Sequence, residues 1–199
     1  SAVPLQDHAP QVLLCAHFDT KHGTPGALDN ASGVAAMLAL AEMIGTHDGV
    51  GMQCVALNGK DHYQTPGQLA YQSYLGDAVG ALDLVINFDD VGYQTSPNTV
   101  AFMGCTDGFA DAVRRRLPAW PGMREIGPWP QGDHMAFWSA GVPCVAFTSE
   151  ASFALSDRIT HTPRDVADNL NLSSLAELVH FAKDAVLDAV LGTSARRAR

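Results

Sequence analysis

The residues best suited to chemistry open in the stretch 16–33, AHFDTKHGTPGALDNASG. It brings one histidine, His17, and two carboxylates, Asp19 and Asp29, into one loop region. An imidazole beside carboxylates suits Zn²⁺ or a similar divalent ion. In His17-x-Asp19 the carboxylate stands where it could hold the ring through its other nitrogen. The plainer reading is a capped helix after a strand. Asp29 or Asn30 would then be the N-cap, and His17 a satisfied loop histidine. The stretch alone leaves both open.

The elements around it decide how such side chains could meet. Apolar runs predict strands at about 11–17, 52–57, 82–88, 98–103 and 142–148. Helices are expected at 31–44, 66–75, 106–117, 134–140 and 174–191. Thr106 or Asp107 is the expected cap of the third, and Ser174 with Glu177 reads as a capping box on the last. Strands alternating with helices imply an α/β fold of three αβα layers, with a mainly parallel mixed sheet in one domain over 1–199. In such sheets ligands sit beyond the carboxyl ends of the strands. His17 and Asp19 follow the first strand, Asp61-His62 the second, Asp89 the third, and His161 the last. Recurrence at so many strand ends favours the metal reading over coincidence. His17, Asp29, His62, Asp89 and His161 suffice for two ions if Asp29 bridges them. Two such ions can hold a hydrolytic water and polarise a carbonyl.

Composition narrows the classes. Hydrophobic residues make up 47% and charged residues 17%, as in a globular domain with a real core. The formal net charge of −9 argues against nucleic acid, whose phosphates call for a basic face. No run approaches the roughly 18 consecutive apolar residues of a membrane span. Cys15, Cys54 and Cys144 lie in apolar runs and read as buried free thiols, and no CxxC appears. The segment 119–131, with Trp120 and Trp129, reads as loop and as a candidate pocket wall. The arginine-rich end, 196–199, is given no function. No GxSxG elbow and no phosphate-binding glycine loop is present, so serine-triad chemistry has no support.

Five pieces together resemble the co-catalytic zinc aminopeptidases and the related glutaminyl cyclases. They are AHFDT at 16–20, LDNASG at 28–33, NFDDVG at 87–92, GDHMAFWSAGVP at 132–143 and HTPRD at 161–165. The resemblance implies a zinc-exopeptidase fold. It implies a zinc site, two ions expected and one possible, with His17, bridging Asp29, Asp89 and His161 as ligands. It further implies Asp19 as the carboxylate orienting His17, and an unusual, often cis, peptide after Asp29. The family carries a Glu-Glu pair after the second strand, the first a general base and the second a ligand. Here the residues are Lys60-Asp61-His62. One alignment puts Asp61 on the base and His62 on the ligand. A shift by one residue puts Lys60 on the base and Asp61 on the ligand, and would impair hydrolysis. Asp133 would hold the base or the substrate amine, or cap a helix.

The expected function is a metal-dependent aminopeptidase acting on a peptide or small amide with a free amino terminus. A one-zinc, cyclase-like aminoacyltransferase and a catalytically silent binding module are the alternatives. No nucleic-acid or membrane partner is expected. The family's usual elements before the first motif are absent, so the chain is expected to be either a domain lacking an upstream segment or a short member with a more open pocket, and the resemblance implies a secreted or periplasmic setting.

Overall fold

The strands are aliphatic runs buried on both faces, as a sheet covered by helices requires. A computed structural model describes residues 9–45, 50–62, 65–156 and 158–191. Residues 1–8 and the arginine-rich end lie outside the described residues. β1 (Gln11–His17) is buried at every position. α1 (Ser32–Ile44) leads to β2 (Gly51–Leu57), and α2 (Pro66–Leu75) to β3 (Leu84–Phe88) and β4 (Asn98–Met103). Then come α3 (Asp107–Arg114), β5 (Met123–Glu125), α4 (His134–Ser139), β6 (Cys144–Ser149), α5 (Ser152–Leu155) and α6 (Leu172–Phe181).

The strands form one sheet in the order β2-β1-β3-β6-β4-β5. The first four lie parallel, β4 runs antiparallel to β6, and β5 is parallel to β4. This is the three-layer α/β arrangement with a mainly parallel mixed sheet. Alternation along β1 divides the core: Val12, Leu14 and Ala16 face one layer, Leu13 and Cys15 the other. α1 and α6 pack on the first side, through residues such as Leu40 and Leu178. Tyr71 of α2 and Phe137 of α4 pack on the second. The chain therefore reverses its winding at β1, and the carboxyl ends of β1 and β3 flank the switch point where α/β sheets place their ligands.

Several local expectations change. β5 lies in a segment expected as loop, pairing only briefly with β4. α5 is a short helix where no element is predicted. The last helix starts at Leu172 because Asn171 caps it, Oδ1 accepting from Ser174 N at 3.1 Å. Glu177, expected in a capping box, instead accepts from Gly122 N at 2.9 Å. Thr106 does cap α3, accepting from Phe109 N at 3.3 Å. Cys54, expected to be buried, is exposed because β2 is the edge strand. Among the described residues all four cysteines are free. The stretch Ala27–Ile44 reaches a mean hydropathy of 1.3, but 50% of it is buried, so its apolar side serves the core.

Candidate metal centre

Each candidate side chain is delivered by a strand end or by a loop tied to one. His17 closes β1 and is fully buried. Its Nδ1 lies 3.0 Å from the Asp19 carbonyl and 3.6 Å from Asp19 Oδ1. A carbonyl only accepts, so Nδ1 carries a proton, and Nε2 faces inward. The Asp19 carboxylate also accepts from Asp61 N at 3.0 Å, tying the end of β1 to the turn after β2. Asp29 precedes α1, and its peptide to Asn30 is cis. Asp165 holds this loop: its carboxylate accepts from Leu28 N at 2.6 Å and from Asp29 N at 3.0 Å. Asn30 donates to the Phe88 carbonyl at 2.9 Å and accepts from Gly33 N at 3.1 Å. Gly33 is needed for close approach, since a Cβ there would overlap both Asn30 Oδ1 and that carbonyl. Asp89 follows β3. His161 sits in the loop after β6 at φ 60°, a left-handed conformation uncommon outside glycine. Its Nδ1 is 3.3 Å from Ser156 Oγ.

These residues converge into two groups that share Asp29: His17, Asp29 and Asp89; and Asp29, Asp61 and His161. His17 Nε2 is 3.1 Å from Asp29 Oδ1 and 3.3 Å from Asp89 Oδ1. His161 Nε2 is 3.0 Å from Asp29 Oδ2 and 3.7 Å from Asp61 Oδ1. Ligand atoms about 2.0–2.1 Å from a tetrahedral ion stand about 3.3 Å apart, so these gaps are those of ligands around cations. Asp29 Oδ1 and Asp61 Oδ2 are buried and accept no hydrogen bond, as oxygens reserved for a metal would be. Two imidazoles and three carboxylates are a donor set that zinc accepts. The residues therefore fit the ions.

The turn after β2 differs from the first alignment. Residues Lys60–His62 form a single 3₁₀ turn, in which successive side chains point about a third of a revolution apart. Asp61, expected as the base, faces in and joins the second group. His62, expected as a ligand, is exposed and belongs to neither group. Lys60 also faces in. Its Nζ is 3.0 Å from Asp89 Oδ2, and 3.7 Å from both Asp29 Oδ1 and Asp61 Oδ1.

Charge is concentrated here. Burial opposes a charged His17, but Asp89, Asp19 and Asp29 outweigh it and push its pKa up. For His161, contact with Asp29 and the nearby Asp61 carboxylate raise the pKa to about 10. Burial likewise opposes a charged Lys60, and the carboxylates of Asp89, Asp29, Asp90 and Asp61 overcome it. Asp29 is held below the usual carboxylate range, since its two histidine partners and Lys60 exceed its burial. Asp90 is pushed up by burial and by Asp29 and Asp89.

Beside the groups lies a pocket of about 580 Å³, lined by Lys60, Asp61, Gln68, Leu69, Asp133, Met135 and His161 among others. Asp133 accepts a hydrogen bond from Gln68 Nε2. Burial raises its carboxyl to about 6. Trp120 and Trp129, expected on the wall, pack elsewhere: Trp120 edge-on to Phe181 and Trp129 against His134. Pro130 and Gln131 supply that part of the wall.

Residues 2–186 match peptidase family M28. The chain belongs to that family. YfbL of Escherichia coli strain K12, itself uncharacterized, is 24% identical over 211 residues, covering 85% of this chain and 64% of YfbL. BSAP, a zinc aminopeptidase from Bacillus subtilis, shares the fold with a TM-score of 0.77 at 21% identity, over 92% of this chain and 47% of BSAP. The glutaminyl cyclase of Porphyromonas gingivalis does so at 0.70 and 20%, over 91% of this chain and 72% of the cyclase. The M28 chain thus spans under two thirds of YfbL and about half of BSAP.

Two contributors to this M28 site had little signal in the sequence. Ser156 reaches His161 from a segment outside the predicted strands and helices. Asp165 carried no sign of its two hydrogen bonds to the Asp29 loop, because they span more than a hundred residues.

Proposed function

We propose that this M28 chain carries the metal centre of an aminopeptidase-type hydrolase acting on a peptide or small amide with a free amino terminus. The observation behind the reading is the pair of three-residue groups meeting at Asp29, with inter-ligand gaps of 3.0–3.7 Å. Divalent ions held there, zinc by the donor set, would supply polarisation of an amide carbonyl and acidification of water.

The chain's own residues take the following parts. His17, Asp29 and Asp89 would hold one ion, and Asp29, Asp61 and His161 the other. Asp19 orients His17 through its carbonyl and locks the turn that carries Asp61. Asp133, on the pocket wall, receives the substrate ammonium. Its carboxyl lies near 6, so amine binding strengthens, and KM falls, as pH rises through that value. With Asp61 in the second ligand group, the one-residue shift of the alignment is favoured, and it puts Lys60 on the base position. An ammonium has no lone pair to take a proton, so hydrolysis by this chain is slow.

Chromophore release from amino-acid anilides tests the reading. Expected are zinc-dependent release, its loss with chelator, and its loss when the substrate amine is acylated. A zinc-loaded protein that leaves every anilide intact would overturn the hydrolase. Lys60 favours one other reading, a domain that binds amino-terminal peptides without cutting them. It is chosen if zinc-loaded protein binds such peptides, measured by calorimetry, with no turnover. Assaying glutaminyl-peptide cyclisation on the same sample separates the transferase.

A further inference from the structure

We infer that the Lys60 ammonium is a resident cation of the centre, standing in for half of the charge of a second divalent ion. The centre therefore takes one metal ion tightly and a second only weakly. This rests on the metal-centre reading above and deepens it.

The inference follows from position and charge. The Lys60 side chain is only 22% exposed, and its ammonium reaches carboxylates of both ligand groups. It is 3.0 Å from Asp89 Oδ2 and 3.3 Å from Asp89 Oδ1. It is also 3.7 Å from Asp29 Oδ1, the oxygen beside His17. Three ligand carboxylates and one ammonium leave two negative charges when the imidazoles are neutral, which a single divalent ion cancels. A second ion would add two positive charges beside a fixed ammonium in a poorly screened site. The groups do not suffer equally. Lys60 lies closest to the His17 group, 3.0 Å from Asp89 Oδ2, whereas the carboxylates of the His161 group, Asp29 and Asp61, stand 3.7 Å from it. The tight ion is thus assigned to Asp29, Asp61 and His161, and the weak one to His17, Asp29 and Asp89. A lysine stem can swing into the adjoining pocket, so the second ion is weakened and not forbidden.

Co²⁺ titration followed by calorimetry and by absorption, with metal content measured after dialysis, tests this on the full chain. Wild type should retain one ion, the second binding about tenfold or more weakly. Lys60→Met should bring the second affinity within a few-fold of the first, and Lys60→Gln should do the same if the methionine variant fails to fold. Lys60→Arg should keep the wild-type pattern. His161→Ala should lose the tight ion, whereas His17→Ala should keep it. Two ions of equal affinity in wild type would overturn the inference and leave the metal centre standing. So would a second affinity that neither neutral variant changes. No cobalt bound by any form would overturn the metal centre itself.

Discussion

At the scale of single residues, the turn after β2 decides which side chain does what. Asp61 and His62 are neighbours in sequence, but one is 3% exposed and lies in the second group while the other faces solvent. Asp61→Asn should lower bound metal at the His161 side, and His62→Ala should leave metal content unchanged. Mass-spectrometric metal analysis after dialysis checks both, and equal losses would show that the turn is placed wrongly. Asp133 gives a pH test. Its folded carboxyl lies at about 6 against 3.8 for the free group. The folded state therefore holds this proton more tightly. Its stabilising effect is complete below about pH 4 and is lost as pH rises through about 6. The loss is on the order of 3 kcal/mol at most. Asp133→Asn should flatten the fall in stability between pH 4 and 6, measured by denaturant unfolding at several pH values.

At the scale of elements, the centre depends on how the Asp29 loop is seated between α1 and β3. Asp165 satisfies two buried amide groups of that loop from a distant segment. Asp165→Ala leaves both amides unpaired and should cost roughly 2–4 kcal/mol. It should also weaken metal binding, because Asp29 is no longer held. Gly33→Ala should destabilise by roughly 1–3 kcal/mol, since the added carbon meets the Phe88 carbonyl and Asn30 at the start of α1. Urea melts of the two variants check these values. A Gly33→Ala melt indistinguishable from wild type would mean that the α1–β3 approach is looser than described.

At the scale of the whole molecule, four parallel strands set side by side turn their carboxyl ends to one rim, and the acidic groups gather there. An apo protein keeps three buried carboxylates close together with one ammonium. Metal should bind only the folded state and stabilise it. Zn²⁺ at about 100 times its Kd contributes about 2.7 kcal/mol. For a chain of this size that raises Tm by roughly 5–10 °C, and chelator should reverse it. A scanning calorimetry trace unmoved by zinc would contradict the centre.

The α/β class, most strands and the cluster of chemistry at strand ends were legible in the sequence, because they follow from local periodicity and from one rule about parallel sheets. Thus β1 and α2 lie where their apolar runs and N-terminal proline put them, and His17, Asp29, Asp89 and His161 come together from four separate stretches. The assignment at Lys60-Asp61-His62 was not legible. Adjacent residues in a tight turn differ only in which way they point, and that direction is set by Asp19 pulling on the Asp61 amide from another strand. The short β5 and the roles of Ser156 and Asp165 were hidden for the same reason. Their partners lie elsewhere in the chain, and only tertiary packing brings them within reach.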